Sequence, residues 1–422
     1  MDECFRAGHL ILLVGGNPLP NAVAGRLLTP SEGTITLVHS ADSFNVAERL
    51  QAWLRRQGST NDVRLKQIEE SDAASIAQGV CLALEEVGKV NVGLNYTGGT
   101  KAMAVHAYRA VERWASQHRG GGRSVEPVFS YLGARRLVMV VDPADPMGSQ
   151  RGHTRFIGRA IELTVRDLLG LHGWTLQHDP TTQPLLPRSA RALGAAFAND
   201  GAFLDWRQWI QGELLAKCRR SDKDAWQSQA TLRSVSLSLP PNPSLGGVSE
   251  ALGCELSHPS GVLPLMQAAF GNDPQRFCEW LNGKWLEHDV LNVLKGMAPR
   301  FQLHECAQNV ETKEVQFDVD VIALGGYQLF AFSCSTESRK GLLKTKLFEA
   351  HIRARQLGGD EARVALVCCS DEPERLEHEM RRDVDPEGRI RVFGRRHLSD
   401  LSTKVAEWIQ SQCGEEGSPP WT

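Results

Sequence analysis

The stretch NYTGGTKAM (residues 95–103) lies directly after the apolar run Val90-Asn91-Val92-Gly93-Leu94 and directly before a helix-like segment, 104–117. A loop that leaves a strand and opens a helix gathers backbone N–H groups and the positive end of the helix dipole at one point, a setting that favours anions. Gly98 and Gly99 let a ligand approach the main chain or permit φ > 0, Thr97 and Thr100 offer hydroxyls, and Lys101 adds a positive charge. The spacing is neither GxxxxGK[ST] nor GxGxxG. Phosphate or nucleotide binding, and an ordinary glycine turn with an N-cap threonine, both account for these residues.

Outward from this loop, short Leu/Val/Ile-rich runs alternate with amphipathic stretches. Strands are predicted at 10–14, 34–38, 90–95, 125–131 and 137–141, and helices at 43–57, 71–86 and 101–117. That rhythm predicts an α/β domain on a mostly parallel sheet. A second glycine loop, VGGNPLPNAV (14–23), follows the first strand, and Ser40 follows the next. Loops at the carboxyl ends of parallel strands border the ligand crevice, so Gly15, Gly16, Asn17 and Ser40 are expected on the same edge as Thr97–Lys101.

At 422 residues the chain is long for one core, which predicts two or three domains. A Pro/Gly-rich break at 143–152 closes the first, 1–145. A connector, 146–270, follows: helical spacing over 155–171, a helix at 204–218, and loop-like segments at 186–203 and 236–253. The third unit, 271–422, reads helix 275–295, strand 301–308, strand 314–323, a Gly325-Gly326 hairpin turn, strand 327–334, helix 341–357, strand 362–369 and a final helix from 398.

A formal net charge of −3 with 23% charged residues leaves no global basic field, so any nucleic-acid contact must come from a local patch. Ten cysteines form no CxxC pair and read as small buried hydrophobes of a reducing compartment. With no run of 18 apolar residues and no basic-flanked leader, the expectation is a cytoplasmic protein without a membrane span.

In the third unit, Glu287 lies in a predicted helix, and Asp318 and Asp320 share one face of a strand whose other face is apolar. Carboxylates converging beside a cation are what metal-assisted phosphodiester cleavage requires, and oxygen donors suit Mg2+ or Mn2+. Lys344 and Lys346 open the helix after the next strand, and either is placed to supply the cation. Lys346, Glu349 and Arg353 equally fit a solvated, salt-bridged surface. The arginines and lysines at 339–355 and 381–396 could hold a phosphate backbone, or form ordinary surface offset by acids at 371–379.

Residues 1–145, on the early Gly-rich loop and above all on TGGTK, resemble the CARF domain (CRISPR-associated Rossmann fold) of type III CRISPR ancillary effectors. The C-terminal unit resembles the PD-(D/E)xK nuclease fold as it occurs fused to such domains. Trp285-Leu286-Glu287, Asp318-Val319-Asp320 and Ser333-Cys334-Ser335 fall where that family carries W-L-E, acid-x-D and E-C-K.

The resemblance implies a Rossmann-like sensor half, a helical/loop connector and a restriction-endonuclease-like half. It implies a homodimer that binds a cyclic oligoadenylate, cyclic tetra-adenylate first among the rings, through Gly15, Gly16, Asn17, Ser40, Thr97, Gly98, Gly99, Thr100 and Lys101. It also implies an allosterically activated nuclease acting on DNA and/or RNA. Glu287 and Asp320 would hold Mn2+ or Mg2+, with Lys344 or Lys346 standing in for the lysine lost at Ser335. The loss of acid and lysine at Ser333 and Ser335 also admits a catalytically degenerate, ligand-binding effector. A ring-nuclease activity of the sensor half, using Thr97 and Lys101, is a further alternative.

Overall fold

The computed structural model describes residues 5–58, 60, 62–86, 90–118, 126–143, 152–220, 225–253, 256, 269–271, 273–315, 318–385 and 388–412. The sequence-predicted break at 143–152 lies mostly outside them.

The N-terminal sheet comprises β1 (His9–Val14), β2 (Thr34–His39), β3 (Asp62–Gln67), β4 (Val92–Asn95), β5 (Val128–Gly133), β6 (Val138–Val141) and β7 (His153–Phe156), in the order β3-β2-β1-β4-β5-β6-β7. Its first five strands are parallel, and β6 and β7 are antiparallel additions. β1, β2 and β4 are buried along their whole length, as their unbroken apolar runs predict. Helices α1 (Leu19–Leu28), α2 (Phe44–Arg56), α3 (Ala73–Glu85) and α4 (Lys101–Gln117) connect the parallel strands.

Three elements here differ from the sequence expectation. β3 reads DVRLKQ, an edge strand whose charged alternation hides it. α1 begins inside the second glycine loop because proline is tolerated in a first helical turn. β7 carries the sheet past residue 145, so the helix expected over 155–171 shrinks to α5 (Val165–His172), opened by Thr164 accepting from Asp167 N.

The connector is more helical than its sequence suggests. α6 (Pro187–Ala196) occupies the segment read as loop, and α7 (Asp200–Trp209) continues through a π-helical stretch, Ile210–Leu215, to Cys218. α8 (Gln229–Ser234) and α9 (Gly246–Leu252) follow.

The C-terminal sheet has the order β12-β11-β10-β9-β8, built from β8 (Glu305–Glu311), β9 (Asp318–Gly325), β10 (Gln328–Ser335), β11 (Arg363–Cys368) and β12 (Ile390–Phe393). β8–β9–β10 form an antiparallel meander, and β10, β11 and β12 run parallel. The predicted helix over 275–295 is split into α10 (Pro274–Glu279) and α11 (Trp285–Phe301) by a kink in the stretch Trp280–Lys284, where Gly283 leaves helical geometry. Helices α12 (Lys340–Gly358), α13 (Pro373–Asp383) and α14 (Leu401–Gln412) complete the unit.

One apolar core joins the two sheets. It runs from Leu10, Leu12, Leu50 and Trp53 through Leu168 and Leu169 to Leu329, Leu347, Leu366 and Val392. A second core fills the α3/α4 face of the first sheet, and a third lies between the second sheet and helices α6, α11 and α14. Arg159 ties the joint by donating to the carbonyls of Gly325 and Phe301.

Candidate functional site

The strand order reverses between β1 and β4, both parallel, and at this point the β1–α1 and β4–α4 loops part at the carboxyl ends of the strands. The two glycine loops therefore abut. A Cβ on Gly15 would stand 3.1 Å from Gly99 N, a tight contact, and one on Gly98 would run into Leu13 O, so Gly98 needs glycine for packing alone. Gly99 has φ +72°, where a side chain is strained.

What remains for a ligand is Gly16, with nothing within 4 Å of its Cβ position, and the exposed Thr100 and Lys101 at the start of α4. Thr100 Oγ1 accepts from Met103 N at 3.2 Å, capping that helix. Thr97 Oγ1 is engaged by Leu132 N at 2.7 Å. Ser40 is buried and bonded to Ser43, so it shapes the β2 turn and presents no hydroxyl to the crevice. Asn17 Oδ1 accepts from Leu19 N, while its amide nitrogen lies against the Gly359 turn that follows α12.

The second site is built from three elements. α11 carries Glu287 in its first turn, β9 carries Asp320, and α12 carries Lys346. Asp320 Oδ2 accepts from Cys334 N at 2.7 Å and from Ser333 Oγ at 3.1 Å, so Ser333 orients this carboxylate.

Glu287 Oε2 is buried without a hydrogen-bond partner. Burial first, then the neighbouring Asp320, pushes the Glu287 carboxyl up to about 8, with Asp318 adding to this and Lys284 and Lys346 opposing it. A cavity of about 380 Å³ opens here, walled by Glu287, Lys284 and Lys346 and by Arg219 and Trp226 from the connector.

Lys344 is placed elsewhere. Its Nζ reaches Asp383 at 3.1 Å and Glu379 at 3.9 Å on α13, away from Glu287 and Asp320. The basic residues toward the C-terminus are largely paired as well: Lys340 with Glu379, Arg381 and Arg391 with Glu377, Arg395 with Asp371.

Sequence reasoning missed Lys284, Arg219 and Trp226. Lys284 stands one helical turn before Glu287, a spacing legible in the sequence. The placement of Arg219 and Trp226 depends on a connector with no pattern to read.

Among the described residues no group of three or more His, Cys, Asp or Glu side chains is placed to hold a metal ion. The donors at hand are the unpartnered Glu287 Oε2 and the Asp320 carboxylate. Such a pair fits a hard divalent cation that keeps most of its water ligands, as Mg2+ does with one or two carboxylates.

No model of a known protein family matches the chain, and no curated protein matches its sequence. Solved structures do match its fold over nearly the whole length. The protein VC1899 from Vibrio cholerae superposes with a TM-score of 0.68 at 14% identity, over 96% of this chain and 99% of that one. Can2 from Sulfobacillus thermosulfidooxidans, solved in complex with cyclic tetra-adenylate, superposes with a TM-score of 0.65 at 16% identity, over 97% of this chain and 98% of that one. Among the described residues no helix is long and apolar enough to cross a membrane.

Proposed function

We propose that this chain is a homodimeric, cytoplasmic ancillary effector of a type III CRISPR system. In this reading residues 1–145 sense a cyclic oligoadenylate, cyclic tetra-adenylate foremost, and 146–270 connect. Residues 271–422, a PD-(D/E)xK-like nuclease, then cut DNA and/or RNA with Mn2+ or Mg2+. The observation that carries the reading is the unpartnered, buried oxygen of Glu287 beside Asp320, on a cavity that Lys346 also lines. A carboxylate held this way opposes folding, and strain of that kind is explained by a cation or a reacting water. The full-length likeness to a fold solved with cyclic tetra-adenylate, and the glycine cradle at the switch between β1 and β4, support the sensor half.

Glu287 and Asp320 would hold the divalent ion, which when bound supplies Lewis-acid polarisation of the phosphodiester. Asp320 is fixed for that task by Cys334 N and Ser333 Oγ. Glu287, ionised when the ion is bound, would orient an attacking water by accepting a hydrogen bond through its other carboxylate oxygen. Lys346 Nζ neutralises charge that develops on the phosphate. In the sensor half, Gly16 N–H, Thr100 and Lys101 face the ligand's phosphates. Regulation requires that the ligand favour one arrangement of the dimer over another.

A second reading, a non-enzymatic effector that binds the cyclic nucleotide, is favoured by the two-carboxylate donor set. One experiment separates the two. Purified protein is incubated with plasmid, single-stranded DNA or RNA, with Mn2+ or Mg2+, and with or without cyclic tetra- or hexa-adenylate. Ligand-dependent cutting that Asp320→Ala abolishes is the expected result. Ligand binding without cutting under every condition establishes the second reading, and loss of the ring itself makes the sensor half the enzyme.

A further inference from the structure

A π-helical segment, Ile210–Leu215, packs against a second segment, Trp280–Lys284, where two helices meet at a kink. π-helical turns make up well under 1% of residues in proteins and concentrate at functional sites. Gly283, in the second segment, has φ +156°, and a Cβ there would stand 3.2 Å from Thr336 Oγ1. Where the segments meet, a second cavity of about 270 Å³ adjoins the one that holds Glu287. Asn282, Ser335 and Thr336 line both.

The two compartments differ in charge. The first is walled by three cations, Lys284, Lys346 and Arg219, against the carboxyls of Glu279 and Glu287, the latter largely protonated at neutral pH because burial raises it to about 8. The second has one cation, Arg207, whose Nη1 donates to Ser338 Oγ at 2.9 Å, and one anion, Glu337. Hydrogen bonds from the Arg339 guanidinium, and from the main-chain N–H groups of Ser338 and Arg339, hold the Glu337 carboxyl at about 2, so it is an anion at every working pH. A phosphate in this second compartment would face that carboxylate. A flat, uncharged group with donors and acceptors on its edge would not, and the Gln211 and Asn282 carboxamides offer both kinds of partner above a floor of Phe203 and Trp206.

We infer that the second compartment is a nucleobase subsite, which takes the base of the nucleotide next to the one whose phosphodiester lies at Glu287 and Asp320. The inference rests on the nuclease reading of the first compartment and assigns the neighbouring one. An unpaired base enters it; a base held in a duplex does not, because its edge is already engaged. The strand then runs from the cationic compartment over Asn282 to Gln211 and Arg207.

The test uses the full chain carrying Asp320→Asn in metal-free buffer with cyclic tetra-adenylate. Fluorescence anisotropy is read with a labelled single-stranded DNA oligonucleotide and with the same backbone made wholly of abasic sites. The intact strand is expected to bind roughly tenfold more tightly than the abasic one. Gln211→Ala and Gln211→Leu, at an exposed and uncharged position, are expected to remove most of that difference while leaving abasic binding unchanged. Equal affinity for the two strands, or a preference that survives both substitutions, overturns the subsite and leaves the nuclease reading standing. Failure of both strands, and of a single-stranded RNA of the same length, to bind overturns both.

Discussion

Replacing Glu287 with glutamine should make the protein more stable while destroying the activity proposed for it. In the folded chain the carboxyl is raised from its ordinary 4.5 to about 8. Between those two pH values the folded state keeps a proton that the unfolded state has already released, so stability falls as pH rises through the window and levels off above pH 8. At about 1.4 kcal/mol per pH unit the ceiling is ~5 kcal/mol, and water in the adjoining cavity screens part of it, leaving on the order of 3 kcal/mol. Glutamine keeps the shape without the charge.

Chemical denaturation in EDTA at pH 8.5 should therefore place Glu287→Gln above the parent by that amount, with the gap closing toward pH 4.5. Adding Mn2+ should narrow it again, by stabilising the parent alone. Equal or lower stability of the variant at pH 8.5, or a gap that does not change with pH, would refute the reasoning.

Lys346→Ala should slow ligand-dependent cleavage about a hundredfold, whereas Lys344→Ala, whose partners are on α13, should leave the rate within about twofold. Initial rates on a fluorescent single-stranded substrate decide between them. Lys101→Ala should weaken cyclic tetra-adenylate binding about tenfold by calorimetry without changing the melting temperature. Gly98→Ala forces a methyl group into Leu13 O and should cost at least ~2 kcal/mol, seen as a lower denaturation midpoint. An unchanged midpoint would mean that the loop rearranges freely.

The parallel part of the first sheet was legible because its strands are buried on both faces, and burial on both faces leaves an unbroken apolar run. The same logic hid β3, which is an edge strand and wears charge. The helices at 187–196 and 246–252 escaped because glycine and alanine, which read as loop, also permit close helix packing.

At the second site, Glu287 and Asp320 were visible as acids on opposing elements. Their setting was not: Ser333, read as standing in the place of an acid, donates to Asp320 and so orients it. Lys344 and Lys346 are two residues apart on one helix, about 200° around its axis, and only the position of α13 reveals which of them faces the carboxylates.

The apolar core common to both sheets sets a mechanical constraint. Swinging one sheet away from the other would wet Trp53, Leu168, Leu347 and their neighbours, at about 25 cal/mol for each Å² exposed. Within one chain the two halves share this seam, so in the proposed dimer a switch is expected to turn whole chains, and severing the polypeptide between the sheets is expected to expose apolar surface on both fragments.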